Sequence, residues 1–361
     1  MLNRRNAALP FGLARYTLGQ ILTGGAIFLG VILLPLVDHN SSHISAVADA
    51  GYILLLALGL NVVVGYTGLL VLGYAAFFAA GAYSYALLAS PQFNIHTSFW
   101  PMLVVSALIA AFFGVLLGAP TLRLRGDYLA IVTLGFGQIV PDVLLNLDKY
   151  TGGPNGISAI DQPVLFGYHF AFNPTPYYYV YLVVIALSLI VLSNLRHSRL
   201  GRAWMAVRED ELAAAHMGIN TTTTKLLAFS FSAAFAGLAG CIYAAKLALV
   251  IPNSFEFQLS VLILLAVVLG GLGNLAGVLL GGAIIALLNF FVLPQASNLA
   301  HAAGDKLHIA ALQSVDLTNY RFLIFGIILV AVMLFRPEGL LPSATVRAEL
   351  HEAVEKEGVA V

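Results

Sequence analysis

One feature constrains this chain more than any other: a series of apolar runs, each about as long as a bilayer is thick, with almost no charge inside them. They lie near residues 18–37, 44–64, 67–89, 100–120, 127–147, 177–195, 225–250, 258–273, 275–293 and 320–336. A hydrocarbon core roughly 30 Å thick is crossed by about 20 helical residues. Barrel strands would show segments of about ten residues with alternating polarity, and these runs do not alternate. The fold class expected is an all-α polytopic membrane protein with about ten transmembrane helices. Gly65-Tyr66-Thr67-Gly68 and Gly270-Gly271-Leu272-Gly273-Asn274 join spans by permissive backbone rather than by polar loops, so the count ranges from about nine to eleven.

Composition agrees. Only 9% of the residues are charged and 60% are hydrophobic, against about 25% and 45–50% in a soluble domain. So few charges cannot cover the surface of a soluble enzyme of this size. The 17 basic and 17 acidic residues balance, which excludes a nucleic-acid binder. The single cysteine, Cys241, sits in an apolar run and leaves no intrachain disulfide to form.

The charges are sided. With the N-terminus in the cytoplasm and the spans alternating, Arg4, Arg5, Arg15, Arg123, Arg125, Arg196, Arg199, Arg202, Arg208, Lys225, Arg336, Arg347 and Lys356 fall inside, thirteen of the 17 basic residues. That split favours an N-in, C-in arrangement with an even number of spans. The first run is longer than the 7–15 residues of a signal-peptide core, and Ala46-Val47-Ala48 lies beyond a polar loop, so a retained anchor helix is expected. The organisation predicted is one transmembrane domain over 1–342, with outer segments at 148–176 and 294–319 and an inner loop at 196–224. A charged cytoplasmic tail follows at 343–361.

The inner loop contains an unbroken run of good helix formers from Arg202 to Met217, followed by Gly218 as a C-cap. Sixteen residues give a helix of roughly 24 Å, too polar to span. It places Trp204, Val207, Arg208, Glu211, Leu212 and Ala215 on one face. Two readings fit: a helix that docks a partner, and one that anchors to the membrane surface. Anchoring helices carry Lys and Arg on their polar face, whereas this one has Glu209, Asp210 and Glu211 in a row.

Catalytic apparatus is missing from the sequence. Gly271-Leu272-Gly273-Asn274-Leu275-Ala276 matches a dinucleotide fingerprint, but no acid follows about 20 residues on, so it reads as a tight turn. There is no P-loop, and no zinc-protease or nucleophile-elbow motif. No catalytic residue and no metal site is expected. Asn61, Gln138, Asp142, Asn289 and Lys246 are polar groups within spans, where polarity is costly and serves either helix-to-helix hydrogen bonding or substrate contact. Without a row of acids or histidines, a proton-coupled secondary transporter is the weaker alternative.

Five ordered blocks carry a resemblance: Gly65 to Gly68 with Leu72 to Tyr83, Thr151 to Ile157, Gly201 to Gly240, Val268 to Asn274, and Arg336 to Leu340. Together they resemble the M-type permeases of the Liv family of branched-chain amino acid ABC importers. The resemblance implies a permease subunit with no cofactor of its own, paired with an H-type permease in the bacterial inner membrane. Two cytoplasmic ATPase subunits, which bind ATP and Mg, and an outer-face substrate-binding protein complete the implied assembly. It makes the inner helix a coupling helix, with Gly201, Arg202, Glu209, Asp210 and Gly218 at the coupling site, and makes Asn61, Tyr66 and Asp142 the candidates for the translocation path. Urea and short-chain amide permeases share similar blocks and stand as the alternative substrates.

Overall fold

A computed structural model of the chain describes residues 30, 33–35, 38, 40–93, 95–121, 127–165, 167–307, 316–336 and 338–341. Most of the first expected span, 18–37, and all of the tail, 343–361, lie outside the described residues. So do Arg4, Arg5, Arg15, Arg123, Arg125, Arg347 and Lys356.

The described chain is a helical bundle. Seven helices are long and apolar enough to cross a membrane, and two shorter apolar helices accompany them. In chain order these are α1 (Ser41–Asn61), α2 (Ala75–Leu88), α3 (Phe99–Thr121), α4 (Asp127–Asn146) and α5 (Pro174–His197). The short α6 (Arg199–Glu209) and α7 (Glu211–His216) precede α8 (Thr221–Leu247), α9 (Phe257–Gly270), α10 (Leu275–Leu287), α11 (Leu293–Leu307) and α12 (Arg321–Phe335). The helices α1 and α8 form the centre: 72% and 61% of their most apolar windows are buried, against 28% for α3, α4 and α5. The outer helices therefore leave most of their residues uncovered by the rest of the chain.

Small residues set the central packing. The helices α2, α3 and α8 meet where Gly81 faces Gly237, Gly240 faces the Phe78 carbonyl, and Gly237 faces Ala110 and Ser106. A methyl group added at Gly237 would lie 2.6 Å from Ala110 Cβ and from the Ser106 carbonyl oxygen. Without a hydrophobic drive between helices in lipid, such close backbone approach supplies the association. The two G-x-x-x-G patterns act inside the chain in the same way. Gly114 and Gly118 pack on Phe229 of α8, and Gly277 and Gly281 on Gly270 of α9.

Three elements depart from the sequence expectation. The span predicted over 67–89 is helical only from Ala75; a π-helical turn, Val62–Tyr66, ends α1, and the chain then runs without regular structure from Gly68 to Gly73. The segment predicted as an outer loop over 294–319 is helical from Leu293 to Leu307. Pro294 removes one amide from that helix, and the π-helical turn Leu288–Val292 just before it absorbs the distortion. The third is the connection between α5 and α8, where α6 and α7 stand in place of one helix. At the far end of the segment 294–319, Asp316 Oδ1 accepts from the Thr318 amide at 2.9 Å and from Ser297 Oγ at 3.1 Å. Those donors hold its carboxyl below the ordinary carboxylate range.

At the end of the bundle shared by the α4–α5 and α8–α9 connections, Thr151 to Ile157 folds onto the residues after α8. Ile157 pairs antiparallel with Val250, and Gly156 lies against the Val250 carbonyl with no room for a side chain. Thr151 Oγ1 donates to the carbonyls of Leu144 at 2.6 Å and Leu147 at 2.9 Å, satisfying the last turn of α4.

The packing makes a direct prediction. Gly237→Ile forces α8 away from α2 and α3 and costs at least the roughly 1–3 kcal/mol of an overpacked core. Gly326→Ala on α12, where an added methyl meets nothing within 4 Å, shifts stability by no more than about 0.5 kcal/mol. Thermal unfolding of the two variants in detergent, followed by size-exclusion fluorescence, reads the difference.

Candidate functional site

The inner loop folds as two helices. Ser198 caps α6 by accepting from the Gly201 amide at 3.2 Å. The helix then stops at Glu209, because Asp210 is extended and its Oδ1 accepts from the Leu212 and Ala213 amides at 2.8 and 3.0 Å. A short acidic side chain that can cap the next turn offers the backbone an alternative to continuing. The single helix predicted from Arg202 to Met217 is therefore broken at Asp210. Gly218 has a φ of 85°, the left-handed conformation that closes α7 and suits glycine.

The break separates two jobs. The face of α6 is held against the bundle: Trp204 is fully buried, its Nε1 donates to the Thr224 carbonyl at 2.8 Å, and its ring stacks on Tyr66 at 6.5 Å and 12°. Phe231 meets the same indole edge-on at 6.0 Å. Four residues further on, Arg208 Nη1 donates to the Gly65 carbonyl at 2.6 Å. By contrast α7 and its cap face outward, with Leu212 58% and the capping Met217 84% exposed. Its base is tied by Glu211 Oε1 to Lys225 Nζ at 2.6 Å.

The predicted coupling residues thus divide. Gly201 lies where a side chain would strike the Leu195 and Arg196 carbonyls, so it sets the α5–α6 corner. Arg202 is exposed and donates to the His197 carbonyl at 2.8 Å. Glu209 is exposed, Asp210 serves as the cap, and Gly218 is open on its outer side. Sequence reasoning placed Trp204 and Arg208 on one face but missed that they clasp the end of α1. The available signal was their four-residue spacing, which aims both at one neighbour.

Of the predicted path residues, Asn61 and Tyr66 come together and Asp142 does not. Asn61 is fully buried near the end of α1, and its Oδ1 accepts from the Gly273 amide at 2.9 Å. Its Nδ2 and the Tyr66 hydroxyl are buried with no partner among the described residues. Asp142 is exposed on α4. The turn that Asn61 holds, Gly271 to Asn274, also receives the end of the described chain. Leu340 and Leu341 donate to the Leu269 and Gly270 carbonyls at 2.9 and 3.0 Å, and Gly339, with φ 80°, lies 2.6 Å from Gly271 on the measure of an added Cβ. Four of the five sequence blocks therefore meet at one end of the bundle.

The Glu211–Lys225 pair is unequal, and the inequality is testable. Lys225 is 5% exposed at its side chain and Glu211 32%. Glu211→Gln leaves a buried ammonium unpaired, whereas Lys225→Met leaves a carboxylate that water reaches. Glu211→Gln is expected to destabilise the α7 region by about 1–3 kcal/mol and Lys225→Met by less. Protease cleavage rates between residues 210 and 220 measure both.

Comparison with known proteins fits this geometry. The family described as branched-chain amino acid transport system / permease component matches residues 43–333. The high-affinity branched-chain amino acid transport system permease protein LivM of Salmonella typhimurium is 41% identical, over 94% of this chain and 79% of its own length. LivM of Escherichia coli is 42% identical over 84% of this chain and 71% of its own. The probable LivM of Methanocaldococcus jannaschii is 24% identical over 67% and 68%. No solved structure matches the chain. With the family match running through nearly all of the described helices and three of the four blocks that meet at this end of the bundle, the chain belongs to the family of branched-chain amino acid transport permease components.

Proposed function

We propose that this chain is the permease subunit of an ATP-driven importer of branched-chain amino acids in a bacterial inner membrane, and that α6–α7 is where partner ATPases act on it. The observation that carries the reading is the division of labour at Asp210: α6 is clasped to α1 and α8, while α7 leaves Leu212 and Met217 bare to solvent. A solvent-facing helix with an apolar tip and a buried root suits docking into a groove of a soluble partner. The sided distribution of basic residues supports a cytoplasmic placement of this end and an N-in, C-in topology, with ten spans when 18–37 is counted as one. Family membership supports an H-type permease beside this chain, two ATPase subunits that bind ATP and Mg below it, and an outer-face binding protein above.

In this reading, ATP-driven movement of the partners pushes α7. Arg208 and Trp204 carry the push to Gly65 and Tyr66 at the end of α1, and Asn61 passes it to the Gly273 turn. Asn61 and Tyr66 then form the inner closure of the path, and Asp142 its outer approach. This chain contributes movement and a path but no bond chemistry.

The test is uptake by the coexpressed complex in proteoliposomes. Glu209→Lys and Met217→Asp, both on the exposed surface, are expected to lower ATP-driven uptake at least about tenfold, or ~1.4 kcal/mol of coupling. Arg208→Ala is expected to preserve ATP hydrolysis while uptake falls, since it cuts the link above the docking surface. Unchanged uptake in all three removes α6–α7 from coupling. Substrate movement in vesicles without ATPase subunits, abolished by an ionophore, would overturn the reading in favour of a secondary transporter.

A further inference from the structure

The helix α4 differs from the other outer helices in what it exposes. Outward from α3 point Val104, Leu108, Phe112 and Leu116, and outward from α12 point Leu323, Ile327, Val330 and Leu334, all suited to lipid. On α4 the exposed face carries the apolar Ile131, Ile139 and Val143 beside a row of Tyr128, Gly135, Gln138, Asp142 and Asn146. The positions of that row are spaced by three, four or seven residues and so share one face. Gln138, Asp142 and Asn146 are exposed, and an added methyl at Gly135 would meet nothing within 4 Å. The other side of α4 is the packed one: Thr133 and Gly137 are buried against Gly73.

Depth makes this row unusual. The helix runs from Asp127 to Asn146, so Gln138 lies roughly 17 Å from its start, near the middle of a core about 30 Å thick. A primary amide there has donors and acceptors that hydrocarbon cannot satisfy. Polar side chains within spans face protein or a water-filled cavity rather than lipid. Asn146 Nδ2 donates to the Asp142 backbone carbonyl at 2.7 Å, which leaves the Asp142 carboxylate free of that amide. Gly135 sits one turn below Gln138 and keeps the row shallow.

We infer that the Gly135–Gln138–Asp142 row lines a water-filled seam between this chain and the second permease subunit, and that a zwitterionic amino acid passes along it. Asp142 offers a carboxylate to the α-ammonium group, Gln138 offers its amide to the α-carboxylate one turn deeper, and Ile131 offers apolar surface to the aliphatic side chain. The inference rests on the importer reading for its substrate, while the wetness of the row is argued from the depth and exposure of Gln138 and Asp142.

Cysteine accessibility tests it in the full complex. The native Cys241 is fully buried, so the parent chain provides a quiet background. Gly135→Cys, Gln138→Cys and Leu108→Cys are made singly, and each complex is treated with a charged, membrane-impermeant methanethiosulfonate. Thiolate forms in water and not in hydrocarbon, so the two α4 variants are expected to react at least about tenfold faster than Leu108→Cys. Addition of leucine-loaded binding protein and ATP is expected to change the rate at Gln138→Cys and not at Leu108→Cys. Equal, slow reaction at all three positions overturns the inference and leaves the row in lipid or covered by protein. Fast labelling in a complex whose uptake proves independent of the ATPases would sink the importer reading while keeping the wet seam. Normal ATP-driven uptake without labelling would do the reverse.

Discussion

The arrangement of the α6–α7 end depends on one contact, the Arg208 guanidinium on the Gly65 carbonyl at the close of α1. A helix ends with carbonyls that lack intrahelical donors and with the negative pole of its macrodipole. In a membrane helix those carbonyls cannot be left to lipid. Arg208 answers both demands, since it is a cation and a donor held at fixed distance by the Trp204 anchor one turn earlier. The same contact leaves little room above Gly68, where an added Cβ would lie 3.1 Å from Arg208 Cγ. With φ 71° at that position, glycine is what allows the chain to turn away beneath the guanidinium.

Past that turn lies the structural exception in the bundle, a stretch from Gly68 to Gly73 with no helix between two spans. Irregular backbone at this depth persists only when protein satisfies it. The amide of Leu72 donates to Thr133 Oγ1 at 3.1 Å, and that of Ala75 to Ser260 Oγ at 2.9 Å. The Tyr74 hydroxyl donates to the Ser232 carbonyl at 2.9 Å. The helices α4, α9 and α8 each supply one of these bonds, so the stretch is held on three sides. The broken span is thus held by side-chain hydrogen bonds rather than by a helical ladder, and it begins at the Gly68 turn that packs against Arg208.

The long spans were legible because lipid imposes one rule along about twenty residues, and α3, α4, α5 and α8 begin and end within a few residues of the apolar runs. Local chemistry was harder to read. Asp210 sits in a run of helix formers, and propensity summed over the run outvotes a single capping carboxylate. Pro294 with Gln295 and Ser297 imitates a loop, and only the preceding π-helical turn lets the helix continue. The meeting of Gly65, Trp204, Gly271 and Leu341 was hidden altogether, because it joins points separated by most of the chain. The resemblance groups Asp142 with Asn61 and Tyr66 as path candidates, but nothing in the sequence says which way the α4 face carrying Asp142 points.

The two lysines of α8 tie both ends of the bundle to one shaft. Lys225 pairs with Glu211 at one end, and Lys246 pairs with Asp49 at 2.6 Å and donates to the Ser45 carbonyl at 2.9 Å at the other. Twenty-one residues of helix separate them, about 32 Å, which is close to the thickness of the hydrocarbon core. Both side chains are buried, so sliding α8 by one turn would strand a charge in a low-dielectric setting at each end. The helix is therefore pinned, fixed to α7 at one boundary and to α1 at the other. Since α1 is also gripped by Arg208, α7 is joined to α1 at both ends of the bundle, through Lys225, α8 and Lys246 to Asp49 and through α6 to Gly65.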